Sequence, residues 1–171
     1  WIRDNIFSSN NRVFILSFCL LLSVFGYAQK EDSLWALWQD TTNAYSVRVK
    51  AMANLSKITL FKAPDSAFSL LNRLQKESQN NNTVEGLSIV YNYKGIYYSL
   101  QGEYSKSIIE YEKLIELSVL HKGRNAGLSA AYNNIGMAYR RKGLLSNALD
   151  YYLKSIKIDE KNNNTSGIAM S

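Results

Sequence analysis

The stretch at residues 132–152, YNNIGMAYRRKGLLSNALDYY, determines the fold class. Its first half has aromatic and aliphatic residues at helical spacing, and Gly143 interrupts this pattern as a helix C-cap would. Its second half returns to helical spacing, so the stretch predicts two α-helices joined by a turn. No part of the chain shows the sustained alternation that is typical of β-strands. We therefore expect an all-α fold.

This helix pair is repeated along the chain. Residues 84–120 align without a gap over residues 125–161, and 12 of the 37 positions are identical. Polar, loop-like sites at residues 80–82, 121–123 and 162–164 recur at the same offset of 41 residues. A period of this size indicates stacked units of supersecondary structure, an α-solenoid of antiparallel helix pairs.

The helices of the two clear copies can be placed from their apolar spacing and glycine stops. We predict first helices at residues 87–101 and 128–142, and second helices at residues 104–120 and 145–159. A more degenerate copy precedes them. Pro64 is expected to open its second helix, because proline is tolerated in the first turn.

A glycine lies at the same interior position of each predicted first helix. Glycine there costs about 1 kcal/mol relative to alanine, so a compensating gain is expected. We expect close approach of the second helix, which carries a small residue twelve positions after the glycine and a tyrosine one turn further on. The glycine, small residue and tyrosine are Gly95, Ser107 and Tyr111 in one copy and Gly136, Ala148 and Tyr152 in the other.

The pattern Y-x-x-I-G-x-x-Y followed by A-x-x-x-Y, at residues 132–152, resembles the tetratricopeptide repeat (TPR). Residues 91–111 are a weaker copy, in which Lys94 replaces the usual aliphatic residue and Ser107 the usual alanine. The usual TPR period is about 34 residues, so roughly seven extra residues would add two helical turns. HEAT and armadillo repeats have periods nearer 40 residues, but the order of glycine, small residue and tyrosine favours the TPR.

The resemblance predicts the organisation of the chain. A degenerate repeat at residues 43–82 precedes repeats at residues 83–123 and 124–164. Residues 165–171 resemble the start of a further repeat, so we interpret the chain as part of a longer protein or an incomplete gene product. Residues 29–42 contain two tryptophans and are expected to cap the first repeat.

Residues 1–28 resemble an export signal peptide. Two arginines precede an uncharged apolar stretch at residues 13–25, and residues 26–28 form a small-x-small end that permits cleavage. The apolar stretch is shorter than the roughly 20 residues of a membrane-spanning helix. We expect an exported protein, in the periplasm or at the outer face of the inner membrane. Membrane contact is expected only through an uncleaved signal or a missing C-terminal segment.

The first helix of each unit lines the concave face in TPR proteins, so the resemblance implies that this face binds a protein or peptide. Asn92 and Asn133 occupy corresponding positions and could form a ladder of side-chain amides for a peptide backbone. Alternatively, both amides only satisfy neighbouring turns or helices. The predicted partner-binding residues are Ile89, Asn92, Ile96, Ser99, Asn133, Met137, Arg140 and Arg141.

Composition argues against catalysis, metal binding and nucleic-acid binding. The chain has one Cys and one His, which exclude Cys-rich and multi-His metal sites. No nucleophile motif accompanies His121, so we expect no catalytic residue, no metal and no cofactor. The net charge is +6, but the basic residues are scattered. We interpret residues 140–142 (RRK) as a cationic helix end, although a basic RNA-binding repeat is a further alternative.

A second resemblance gives an alternative function. Residues 34–42 (LWALWQDTT) and 64–67 (PDSA) are similar to the start of exported bacterial TPR receptors. In such receptors the repeats precede a membrane helix and an adenylate/guanylate cyclase or histidine kinase domain. This resemblance implies the N-terminal sensory region of a membrane-bound signalling enzyme, with no cyclase or kinase residues in these 171 positions.

Overall fold

The computed structural model describes residues 30–121 and 127–161. Within these residues the chain forms seven α-helices and no β-strand, so the prediction of an all-α fold is confirmed. The helices are residues 30–39 (α1), Tyr45–Leu60 (α2), Pro64–Asn80 (α3), Val84–Leu100 (α4), Tyr104–Leu120 (α5), Leu128–Arg141 (α6) and Leu145–Lys161 (α7).

The chain divides into two compact units, with the boundary between Ala51 and Met52 inside α2. In the first unit, Trp38 is fully buried. The Arg48 guanidinium lies 5.1 Å from the centre of the Trp38 ring, and Arg48 Nε donates a 2.9 Å hydrogen bond to the Trp38 carbonyl oxygen. This residue pair connects α1 to the start of α2.

The second unit consists of helix pairs. The most extensive contacts join α4 to α5 and α6 to α7, and further contacts join α3 to α4 and α5 to α6. Each first helix ends one residue before its predicted end, at Leu100 and Arg141, and Gly102 and Gly143 then adopt φ values of +74° and +76°. The amide of the next residue then reaches back five residues, from Glu103 to Tyr98 and from Leu144 to Tyr139. These bonds satisfy carbonyl groups that the helix end leaves free.

The core between the two clear repeats is formed by α5 and α6. Its buried members are Ile108, Tyr111 and Leu114 of α5 and Ala131, Ile135 and Ala138 of α6. Partly buried side chains surround it, among them Ile96 of α4 and Tyr151 of α7. The contact of α6 with α5 therefore stacks one helix pair on the next.

A tyrosine ring occupies the space beside each helix-interior glycine. A Cβ atom at Gly95 would lie 2.6 Å from Cζ of Tyr111, and one at Gly136 would lie 2.6 Å from Cε1 of Tyr152. The ring, rather than the small residue, makes the shortest contact; the Ala148 carbonyl oxygen would be 3.2 Å from a Cβ at Gly136. Any larger residue would therefore force the two helices or the ring to move.

Ser107 adds a hydrogen bond to this contact in the first clear repeat. Its fully buried Oγ donates to the carbonyl oxygen of Gly95 at 2.8 Å. Ala148, at the corresponding position of the next repeat, has no such donor. Serine stands here in place of the alanine of the TPR pattern, and it links α4 to α5 by a hydrogen bond.

Two charged side chains are buried in the first clear repeat, since Lys94 and Glu110 are each only 8% exposed. Lys94 Nζ donates to Oε1 of Gln75 on α3 at 2.6 Å and lies 5.1 Å from the ring centre of Phe68. Burial lowers the pKa of Lys94, and the Glu110 carboxylate partly opposes this change. Oε1 of Glu110 accepts from Lys113 at 2.7 Å, whereas Oε2 is buried without a hydrogen-bond partner among the described residues.

The second clear repeat replaces this polar pair by Ile135 and Tyr151. The Tyr151 ring centre lies 6.2 Å from that of Tyr132 and 5.3 Å from that of Tyr139. In the first clear repeat, Tyr91 and Tyr98 stand at the positions that correspond to Tyr132 and Tyr139. A tyrosine at position 110 would therefore have the same aromatic neighbours. The apolar pair should therefore be accommodated there.

We predict that Lys94→Ile and Glu110→Tyr each lower the free energy of unfolding by about 1–3 kcal/mol, because each leaves the other charge buried. The double variant is expected to recover most of this loss, since well-packed apolar residues often replace buried charged groups at little cost. Urea denaturation gives the free energy of unfolding of all three variants. Glu112→Tyr, at an exposed position of α5, is the matched control. Additive losses in the double variant would contradict the prediction.

Candidate functional site

The predicted partner-binding residues lie on two helices that both adjoin α5. We call this set the α4–α6 face; it consists of Ile89, Asn92, Ile96 and Ser99 of α4 and Asn133, Met137, Arg140 and Arg141 of α6. The α4–α6 pair is not among the helix pairs in extensive contact. The structure therefore presents the face as two rows of side chains, one on each helix.

The α6 row is the more exposed of the two. Met137 is 41% exposed, and Arg140 and Arg141 are also exposed. Neither arginine forms an ion pair with any described acidic side chain. Both lie in the last turn of α6, where positive charge is favourable against the helix dipole. The row combines one accessible apolar side chain with two available cations.

The α4 row is half-buried. Ile96 packs partly against the core between α5 and α6, so only a portion of its side chain is accessible. The two asparagines differ in their surroundings. The Asn92 side chain makes no hydrogen bond to any described residue, whereas Asn133 already takes part in an interaction within the protein. Asn92 is thus the more available amide of the proposed ladder.

A neighbouring amide that the sequence did not single out is engaged in packing. Asn134 of α6 forms a side-chain hydrogen bond with Tyr111 of α5. Burial raises the pKa of Tyr111 far above its usual range, and this hydrogen bond partly opposes the change. Asn134 therefore anchors α6 on α5.

A second feature beside the α6 row was not expected from the sequence. A depression of about 350 Å³ lies between the α4–α5 turn and the end of α6. Lys142 lines it and donates a 3.0 Å hydrogen bond to Ser105 Oγ. Its lining residues are Gly102, Glu103, Tyr104, Ser105, Lys106 and Lys142. The basic end of α6 thus borders an open recess.

Residues 30–121 and 127–161 contain no group of three His, Cys, Asp or Glu side chains placed to hold a metal ion. None of the helices in those two ranges has the length and apolar character needed to cross a membrane. The predicted signal peptide at residues 1–28 and the segment at residues 165–171 lie outside the described residues.

Comparison with known proteins connects this geometry to a family. Residues 86–161 match the family model described as tetratricopeptide repeat. A crystal structure of MamA has a TM-score of 0.52 and 30% sequence identity, over 67% of this chain and 60% of that chain. A second crystal structure of MamA protein has a TM-score of 0.40 and 19% identity, over 81% of this chain and 96% of that chain. No curated protein matches.

Proposed function

Because residues 86–161 are tetratricopeptide repeats, we propose that the α4–α6 face binds a protein or peptide segment. Repeats of this kind serve as protein-binding scaffolds, since stacked helices present an extended surface. The chain spans 60% of the length of the MamA structure that it resembles at 30% identity. The kind of partner is therefore inferred from the chemistry of the α4–α6 face.

The observation that supports this proposal most strongly is the exposed α6 row. Met137 offers an apolar contact, and the two arginines beside it have no acidic partner among the described side chains. Arginine and exposed apolar residues are common at the centres of protein interfaces. Asn92, across on α4, supplies an amide that can both donate to and accept from a peptide backbone. No catalytic role is proposed for these residues.

The combined variant Asn92→Ala, Met137→Ala and Arg140→Ala tests the face. We expect at least about fivefold less partner recovered in affinity capture from envelope extracts, since interface anchors of this type carry most of the binding energy. Helicity and thermal melting should not change, because these side chains are exposed or only half-buried. Lys157→Ala with Glu160→Ala, on the exposed surface of α7, is the matched control. Equal recovery with the face variant would contradict the proposal.

We also propose that the protein is exported and that its signal is removed after Ala28. The apolar stretch at residues 13–25 and its small-x-small end support this location. Cell fractionation with N-terminal sequencing is expected to find a periplasmic or envelope-associated form that begins at Gln29. A cytoplasmic protein that retains residues 1–28 would contradict export.

A second candidate function is the sensory region of a membrane-bound signalling enzyme. The resemblance of residues 34–42 and 64–67 to exported bacterial TPR receptors favours it. The gene sequence after Ser171 separates the two candidates. An apolar segment of about 20 residues followed by a cyclase or kinase domain supports the receptor. Further repeats and a stop codon support a free scaffold.

A further inference from the structure

The end of α6 carries three consecutive basic residues at positions 140–142 (Arg-Arg-Lys), which we call the basic end. The corresponding residues of the preceding repeat, at positions 99–101 (Ser-Leu-Gln), are uncharged. Both helices nevertheless end with the same geometry, since Gln101 and Lys142 each have φ of −79° and ψ of −2°, and a glycine of positive φ follows each of them. The three cations are therefore not needed to end the helix.

No acidic side chain of the described residues forms an ion pair with the basic end. Helix α6 contains no acidic residue, and α4 contains only Glu85, in its first turn. Among the described residues that line the adjoining recess, Glu103 is the one acidic residue, and it is paired with Lys106. The basic end therefore keeps its positive charge on the surface.

The accessibility of the basic end does not depend on which helix follows α7. The α4–α6 pair is not among the helix pairs in extensive contact, so one first helix does not cover the next. Leu100, which corresponds to Arg141, is 52% exposed although α6 follows it. Gln101, which corresponds to Lys142, is also exposed. A further helix packed on α7 would therefore leave the basic end open to a ligand.

An apolar side chain accompanies these charges. Met137 is 41% exposed and precedes Arg140 and Arg141 by three and four residues, so the three side chains share one side of α6. The planar guanidinium group of arginine binds a carboxylate through two parallel hydrogen bonds. The α6 row thus fits a segment in which a hydrophobic residue lies beside two or more carboxylates.

We propose that the α4–α6 face selects an acidic segment of a partner protein, with a hydrophobic side chain against Met137 and Asp or Glu side chains at the basic end. This inference rests on the function proposed above, because it names the kind of segment that the face binds. An exposed ion pair contributes little by itself, so several carboxylates act together. Their main effect is to favour acidic segments over neutral or basic ones.

A nucleic acid fits this face less well than an acidic segment does. Proteins that bind single-stranded nucleic acid combine a cationic groove with aromatic side chains on which the bases stack. The exposed residues of the α4–α6 face, Met137, Arg140 and Arg141, include no aromatic side chain. Binding through phosphates alone depends on neutralising many of them, and the basic end supplies three cations.

Synthetic peptides labelled with fluorescein are the probes. The acidic peptide alternates leucine with Asp-Glu pairs and has an amidated C-terminus, and the neutral peptide replaces each Asp by Asn and each Glu by Gln. Fluorescence anisotropy is measured while the full chain is titrated into each peptide. At about 50 mM NaCl we expect the acidic peptide to bind at least about tenfold more tightly than the neutral one. Most of this difference should disappear at about 500 mM NaCl, since salt screens exposed charges.

Variants of the chain locate the binding surface. The double variant Arg140→Glu, Arg141→Glu is expected to bind the acidic peptide at least about tenfold more weakly, because repulsion replaces attraction. The double variant Lys76→Glu, Lys157→Glu is the matched control, since it changes the net charge equally at exposed positions of α3 and α7. It should leave the affinity within about twofold. Circular dichroism checks that both variants keep their helices.

Four outcomes would overturn the proposal. The first two are equal affinity for the acidic and neutral peptides and an equal loss of affinity in the control variant. The third is tight binding of the neutral peptide once its C-terminus is a free carboxylate, which would make the chain terminus the ligand. The fourth is tighter binding of an oligouridylate RNA that Arg140→Glu with Arg141→Glu abolishes, which would make nucleic acid the ligand.

Affinity capture from envelope extracts separates this inference from the proposed function. If Asn92→Ala with Met137→Ala lowers partner recovery and Arg140→Gln with Arg141→Gln does not, the face binds a partner without selecting its charge. That result would contradict only the acidic segment. If neither double variant lowers recovery, the proposed binding face is itself wrong.

Discussion

The contact between a helix-interior glycine and a tyrosine ring of the next helix is the constraint on which each helix pair depends. At Gly95 and Gly136 the ring of Tyr111 or Tyr152 occupies the space that a side chain would need. Tyr111 also belongs to the core shared with α6 and bonds to Asn134. One aromatic side chain therefore sets both the distance within its own pair and the contact with the following pair.

Polar groups make the stacked pairs different from one another. The Lys94–Gln75 bond joins α4 to α3, whereas aliphatic residues occupy the corresponding positions of α6 and α5. These differences favour one stacking order of the helices over others. If α4 packed on a helix other than α3, Lys94 would lose its acceptor, which would raise the free energy of the misfolded arrangement.

Periodicity and glycine stops were sufficient to predict most of the fold. The bounds of α5 agree with the prediction, and α3 begins at Pro64 as expected. The start of α4 was predicted too late, at residue 87. Gly86 lies inside this helix, where a Cβ would collide with Ser78 Oγ, whereas the corresponding Gly127 precedes α6 with φ of +91°. The same residue type thus serves packing in one repeat and a turn in the other.

The accessible face could be predicted only in part. Helical spacing places Met137 and Arg140 on the solvent side of α6, because the opposite side is needed for the core. It does not distinguish Asn92 from Asn133, although only Asn133 takes part in an interaction within the protein. Gln75, which accepts a hydrogen bond from Lys94, lies 19 residues earlier in the chain. No local sequence pattern identifies it as the acceptor. The sequence therefore predicts which side of α6 is accessible to solvent but not which of its polar groups lack a partner.

The unfolding free energies of Gly95→Ala and Gly136→Ala test the central contact most directly. Helix propensity alone would make each alanine variant more stable by about 1 kcal/mol. The glycine–tyrosine contact instead predicts losses of about 1–3 kcal/mol. The loss should be larger at Gly95, because Tyr111 is 1% exposed and cannot yield as the half-buried Tyr152 can. A gain in stability at both positions would contradict the account.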